Sequence, residues 1–458
     1  MLEQRVQRRQ MLKGALGLAA AGSLGVNWTR RAAAQDLQGV TLRVVSIQDP
    51  FFEPLKSLIP DFEEKTGATV ELEGVQYAGL RDKIVLDVVG GSGTYDVLSI
   101  DTMWTGEFAE GNYALPLDDL ITRDAEQVNR EDLSEGLWSA FSWKGQTYSV
   151  PLSVYAKMLL YRKDLWEDPT HQQQFKEKYG YDLIVPQTWD QFRDMAEYFT
   201  QDWDGDGQPN YGVAFNGKRG ASIVHHFFAY ADNFGATWFQ SYPEEPWDFT
   251  PTINSEAMKE ALRFYVGLRQ FAPPNVTDFE WFDTGGAYWN GQVAMMYHWS
   301  VYASLAADPS QSKIVGNVAA GMPPALDPAS ARSQLGGWAL GISSRSQQQE
   351  AAWEFIKWAT STETLLRMTT EHTFDAVNRE SVLSHPDFQA RYPWAETLKN
   401  SLAIANPEYR PRIPAYVQME EVLGVRLNEA LTGELTPEEA LDKAQEQIVE
   451  IMKDFGYL

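Results

Sequence analysis

Residues 41–100 constrain the fold more than any other part of this chain, because they alternate strand and helix twice and close on a third strand. Thr41 to Ser46 is β-branched and apolar, the pattern of a strand. Leu55, Leu58, Ile59 and Phe62 then fall on one helical face, with Pro60 expected to kink or restart the helix and Gly67 to stop it. Ala68 to Val75 reads as a second strand, Leu80 to Val89 as a second helix ending in Gly90-Gly91, and Tyr95 to Ile100 as a third strand. A βαβαβ order predicts an α/β fold built on an open, mainly parallel sheet with helices on its faces.

The remaining chain adds helices with clear start signals. Thr188-Trp189-Asp190-Gln191 forms a capping box, Ser346 with Gln349 opens a helix through Trp358, and Thr436-Pro437-Glu438-Glu439 opens the last with proline at its first position. At 458 residues the chain exceeds one ordinary core, so two domains are expected. There is no solenoid-period repeat and no long Gly/Ser linker. Several short crossings between the two domains, acting as a hinge, fit this better than separate beads.

Arg8-Arg9-Gln10-Met11-Leu12-Lys13 precedes a small-residue apolar run from Gly14 to Val26, followed by Arg30-Arg31 and Ala32-Ala33-Ala34. A charged start, a short apolar middle and an A-x-A end predict an export signal over residues 1–35, and the paired arginines before Leu12-Lys13 resemble the twin-arginine type. The run is shorter than the ~20 residues a bilayer span needs. Cysteine is absent, which excludes disulfides, thiol nucleophiles, thiolate metal sites and lipid attachment at a cysteine. The net charge is −25, and residues 1–35 hold six Arg/Lys against one Glu, so the remainder is more acidic still. Such a surface repels nucleic acid and anionic lipid.

Leu58-Ile59-Pro60-Asp61-Phe62-Glu63-Glu64-Lys65-Thr66-Gly67 resembles the opening helix of bacterial family 1 extracellular solute-binding proteins, the maltose-binding-like group. Further pieces follow in that family's order: Tyr95-Asp96-Val97, Tyr148-Ser149-Val150-Pro151 before Leu160-Tyr161-Arg162-Lys163-Asp164-Leu165, Pro186-Gln187-Thr188-Trp189, the run Asn290 to Met296 leading into Trp299, the run Gly336 to Ile342, and Leu431-Thr432-Gly433 before an Ala/Glu-rich end. The resemblance implies a two-lobed periplasmic-binding-protein-like fold with hinge crossings, each lobe a mainly parallel open sheet flanked by helices. It places lobe one at about 40–150 plus 297–360 and lobe two at about 151–296 plus 361–458. It also implies no catalysis, a periplasmic or otherwise exported location, action as a monomer, and the permease subunits of a membrane ABC importer as partners for capture of a sugar or sugar-like solute.

A sugar presents hydroxyls at its rim and C–H patches on its ring faces, so a site for it needs aromatic platforms and bidentate polar groups in a cleft. In open α/β sheets that cleft lies off the carboxyl ends of strands. After the first strand come Gln48 and Asp49, with Phe51-Phe52 more suited to packing the first helix. After the third come Asp101 and Trp104, the hinge region supplies Ser153 and Tyr155, and His298, Trp299 and Ser300 follow the Ala294–Tyr297 strand. The glycine pair brings Gly337 and Trp338, and Asn378-Arg379 occupies a stretch where the family often places ligand contacts. Asp101 and Arg379 are expected to fork onto vicinal hydroxyls. Trp299 and Trp338 match family positions that face the cleft.

Asp202-Trp203-Asp204-Gly205-Asp206-Gly207-Gln208-Pro209-Asn210 matches the first half of an EF-hand-type calcium loop, with oxygens from Asp202, Asp204, Asp206 and Asn210 and with Gln208 within the loop. Position twelve is Val213 rather than the bidentate glutamate, so a structural calcium there would bind weakly. The six histidines lack zinc spacing, Gly90-Gly91-Ser92-Gly93 lacks the Lys-Ser/Thr of a phosphate loop, and no G-x-S-x-G occurs. A glycerol 3-phosphate ligand would need clustered cations, and Lys157, Lys218, Arg219 and Arg379 are scattered. A polyamine would favour Asp49 and Asp101. A secreted carbohydrate-active enzyme would use two carboxylates as acid and base.

Overall fold

The computed structural model describes residues 37–205, 207–243 and 245–458, so the expected export signal lies outside the described residues. β1 (Thr41–Ile47), α1 (Phe52–Thr66), β2 (Thr69–Val75), α2 (Tyr77–Val89) and β3 (Val97–Asp101) follow in the expected order. β1 pairs in parallel with both β2 and β3. α1 buries Phe52, Leu55, Leu58, Ile59 and Phe62 against the sheet side, and Phe51 is buried as well. Pro60 does not restart the helix: it lies on the exposed side of one continuous element, where its missing N–H costs a single turn bond. Gly67 ends α1 at φ 79°, its N–H donating to the Glu63 carbonyl at 2.8 Å.

Beyond β3 come β4 (Val150–Arg162), α3 (Trp189–Tyr198), β5 (Tyr211–Val213), α4 (Ala221–Asn233), β6 (Val293–Trp299), α5 (Val301–Ala307), β7 (Val318–Gly321), β8 (Ser333–Ile342), α6 (Gln349–Ala359), β9 (Ala405–Asn406), α7 (Tyr416–Thr432) and α8 (Pro437–Asp454). One nine-stranded sheet runs β2-β1-β3-β8-β4-β6-β5, with β7 on β4 and β9 on β8. The thirteen residues of β4 explain how one sheet serves two lobes. Its first half, Val150–Ala156, pairs antiparallel with β8, which pairs on its other edge with β3. Its second half pairs with β6 and β7. The fold is therefore two-lobed and periplasmic-binding-protein-like, with β4 and β8 as crossings and a third crossing beginning at β9.

Strand pairing moves the expected boundaries. β6 and β7 both pair with the far half of β4, so the chain returns to lobe one at Ser333 rather than at 297. α6 packs on α1, and so does the helix Thr362–Glu371, whereas α7 packs on α4; the last crossing therefore lies near 405 rather than 361. The capping boxes at Thr188 and Thr436 form as expected. The Ser346 box does not: the Ser346 hydroxyl donates to buried Asp96 at 2.6 Å and accepts from the Gln348 N–H at 3.0 Å rather than from Gln349, where the helix starts without a side-chain cap. Among the described residues no helix is long and apolar enough to cross a membrane.

The β4–β8 crossing depends on Gly337, whose φ is 155° and whose absent Cβ would stand 2.4 Å from the Ser153 carbonyl oxygen. Gly337→Ala is expected to lower the urea midpoint of unfolding, a loss of about 2 kcal/mol or more, since both backbone strain and a backbone contact must be relieved. A midpoint equal to wild type would contradict this account of the crossing.

Candidate functional site

The ends of β1, β3 and β6 meet the middle of β4 and β8, and side chains from these strands contact one another. Tyr155 donates its hydroxyl to Asp49 Oδ2 at 2.6 Å, and the Trp338 indole N–H donates to the same oxygen at 2.9 Å. Burial pushes the Asp49 carboxyl up to about 6 against these two hydrogen bonds, with Asp101 adding to the rise, although part of the residue's surface remains reachable. Gln48 stands at the exposed edge, where it accepts from Gln76 at 2.7 Å. Trp104 stacks on Phe108 at 6.0 Å and meets the Trp338 ring edge-to-face at 5.5 Å. Ser153 is buried on β4 between these groups.

Arg410, on the third crossing, is the residue that sequence reasoning missed. Its guanidinium donates to Asp101 Oδ1 at 3.3 Å and to the Thr102 hydroxyl at 3.0 Å, and it lies 3.4 Å from the His225 ring nitrogens. His225, from α4, is paired with Glu420 of α7 at 2.5 Å. Tyr77 of α2 closes the same region, its ring 5.1 Å from Trp281 and 6.0 Å from His225, so the two lobes meet through aromatic edges. Arg410 sits in Tyr409-Arg410-Pro411-Arg412-Ile413-Pro414, an extended proline-flanked run without strand periodicity. That pairing of cation and proline was the available signal.

Trp299 forms the second aromatic wall. The Lys157 amine lies 4.6 Å from its ring centroid, the Tyr155 and Tyr409 rings at 6.1 and 6.2 Å, and a Cβ on Gly336 would strike the indole at 2.6 Å. Glycine at 336 therefore makes room for this ring. The Trp299 backbone N–H donates to His298 Nδ1 at 2.8 Å, which puts the neutral imidazole's proton on Nε2.

Buried polar atoms normally have partners. Here, among the described residues, Lys157 Nζ, Arg410 Nε, His298 Nε2, Trp281 Nε1, the Ser300, Tyr409 and Tyr416 hydroxyls, both ends of the Asn378 amide and one Asp375 oxygen have none within the chain. Of these residues, Lys157, Arg410 and Tyr409 pack on Trp299, where ligand hydroxyls would satisfy their open groups. Arg379 is a correction: its guanidinium donates to the carbonyls of Thr360, Asn129 and Val128 and pairs with Asp132, so no fork is left for a ligand. Gly337 contributes backbone geometry to the crossing rather than a contact group.

In the loop beginning at Asp202, that residue's two oxygens accept from the Gly205 and Gly207 N–H groups, and the Asn210 amide donates to Asp204. Gln208 is exposed and Asp206 lies outside the described residues. Val213 is buried in β5, so position twelve supplies no oxygen from its side chain. One hollow of about 430 Å³ lies on lobe two around Trp189, Arg193 and Arg263, away from the cleft. A second, of about 320 Å³, is lined by Asp232, Trp238, Arg332 and Tyr409 and so reaches the cleft wall at Tyr409.

The model of the family described as bacterial extracellular solute-binding protein matches residues 48–365. The chain is 26% identical over 402 residues to a mannitol-binding protein of Pseudomonas aeruginosa, covering 82% of this chain and 85% of that one. It is similar to a solute-binding protein of Agrobacterium radiobacter K84 solved in complex with ribitol, at 29% identity and TM-score 0.81 over 91% of this chain and 100% of that one. It is also similar to a solute-binding protein of Agrobacterium vitis S4 with bound D-mannitol, at 26% identity and TM-score 0.77 over 91% and 99%.

Burial pushes the Asp375 carboxyl up to about 7, against hydrogen bonds from Trp394 and Ser304. Between the ordinary 3.8 and that value, the folded chain holds a proton that the unfolded chain releases. Stability from this group is therefore present at acid pH and lost as pH rises from about 4 to about 7, at up to about 1.4 kcal/mol per pH unit. Asp375→Asn is expected to melt above wild type at pH 7.5 and to lose that advantage at pH 4.5. A difference in melting temperature that is constant with pH would contradict the assignment.

Proposed function

This chain belongs to the bacterial extracellular solute-binding proteins, and we propose that it captures a small open-chain polyol, of the size of ribitol or mannitol, for an ABC importer. The observation that carries this reading is the condition of the two indoles. Trp338 is met edge-on by Trp104 and Tyr77, and Trp299 carries Lys157 over its ring with Tyr155 and Tyr409 beside it. Neither presents an open platform to a pyranose face. The cleft instead offers closely spaced charged and hydroxyl groups: Asp49, Asp101, Arg410, Lys157, Tyr409 and Tyr416.

An open-chain polyol has a hydroxyl on every carbon and no ring face, so it is matched by forks rather than platforms. Binding to one lobe followed by rotation about β4, β8 and the third crossing would bury it, and the closed form would be read by permease subunits. Export through residues 1–35 to the periplasm accords with the family's extracellular role. The family and the relatives above are binding proteins, which favours capture over turnover.

The test is a set of melts of the mature protein with ribitol, mannitol and their aldonates, with maltose and maltotriose, and with putrescine and glycerol 3-phosphate. Open-chain polyhydroxy compounds are expected to raise the melting temperature by several degrees at concentrations far above Kd. A rise with maltose or maltotriose and none with any open-chain compound would overturn the reading. Calcium at the Asp202–Asn210 loop is proposed alongside, and the same melts with calcium or with a chelator decide it: a higher melting temperature with calcium supports the site, and identical curves remove it.

A further inference from the structure

Lys157 is fully buried, pairs across the β4–β6 ladder with Trp299, and has no hydrogen-bond partner for its amine among the described residues. Lysines buried this deeply are normally matched by a carboxylate. The nearby carboxylates have other partners. Asp49 accepts from Tyr155 and Trp338, Asp101 from Arg410 and Thr102, Glu420 is paired with His225, and Asp232 accepts from Gln334 and Asn406. The charged group that acts on the amine is Arg410, a second cation, and the imidazoles of His226 and His298 face it from α4 and β6. Arg410 approaches the same Trp299 ring at 6.0 Å and leaves its own Nε unpartnered. Two basic side chains thus converge on one indole, and Asp101, the carboxylate that pairs with Arg410, makes no bond to the Lys157 amine. Burial first, and then the Arg410 charge, hold the amine well below the usual lysine range.

A ligand hydroxyl could accept from this amine but would leave its charge uncompensated in a low dielectric, since Asp101 pairs with Arg410. A carboxylate would accept from both Nζ and Nε and stabilise the charged amine. We infer that the Lys157–Arg410 pair selects a polyhydroxy acid, an open-chain polyol ending in a carboxylate, over the neutral polyol of the same length. This rests on the reading of the cleft given above and narrows its ligand class. It also assigns Lys157 as the specificity-determining residue. An anion held against the amine favours its charged form, so whatever fraction of it is neutral in the free protein takes up a proton on binding.

The test is titration calorimetry at pH 8 with two pairs, ribonate against ribitol and mannonate against mannitol, each in two buffers of different ionisation enthalpy. At least one acid is expected to bind about tenfold or more tightly than its alditol, with proton uptake seen only for the acid. Lys157→Met, of similar length and without the amine, is expected to bring the two affinities together and abolish the uptake. Alditols binding as tightly as the acids, without proton uptake, would overturn this inference and leave the open-chain polyol reading intact. Failure of all four compounds to bind would overturn both. Should Lys157→Met not fold, preference and proton uptake in the unaltered protein decide the question alone.

Discussion

The buried contact between Arg410 and Asp101 is the point on which the crossings, the two lobes and the cleft all depend. Arg410 comes from the third crossing, Asp101 from the end of β3, and the His225–Glu420 pair of lobe two stands against the other side of the same guanidinium. Removing such a pair from water is costly, and the cost is recovered only when each charge has several well-placed partners. Arg410 has Asp101, Thr102 and the His225 ring, yet its Nε remains open. A group that is nearly but incompletely satisfied can be completed by a ligand when the lobes come together.

The crossings give this arrangement mechanical meaning. β4 and β8 are not linkers but strands of the one sheet that serves both lobes, so any rotation of the lobes would have to be absorbed along paired backbone. The β4–β8 register shifts at Trp338–Ala339, next to Gly337, whose conformation most residues rarely adopt. The residues bonding Asp49 therefore stand beside the irregular part of the crossing: Tyr155 on β4 and Trp338 on β8. A change in the angle between the lobes changes the Asp49 environment directly.

Much of the fold was legible in the sequence because local rules and tertiary demands agreed. The α1 face, the Gly67 stop and the Thr188 and Thr436 caps depend on residues within a few positions of one another. The readings that failed depend on distant claims. Ser346 reads as a capping box until its hydroxyl is turned to Asp96 and the Gln348 N–H, and Arg379 reads as a ligand fork until the carbonyls of Val128 and Asn129 take its donors. Strand ends pointed to Asp49, Asp101 and Trp299, the hinge region to Tyr155 and the glycine pair to Trp338, and the structure places these near one another. That Tyr155 and Trp338 share one Asp49 oxygen could not be read, since it requires the β4–β8 register. Arg410 escaped because an irregular proline-flanked segment carries no periodic signal, and Lys157 stands alone in the sequence because the cation beside it comes from a distant crossing.

The most direct measurement is the ligand affinity of Arg410→Lys, which keeps the charge but removes the planar fork that holds Asp101 and Thr102. If the cleft is organised around that fork, calorimetry will show the cleft ligand's affinity falling about tenfold or more, while the melting temperature without ligand stays within a few degrees of wild type. Full affinity in Arg410→Lys would contradict the account and place recognition elsewhere in the molecule.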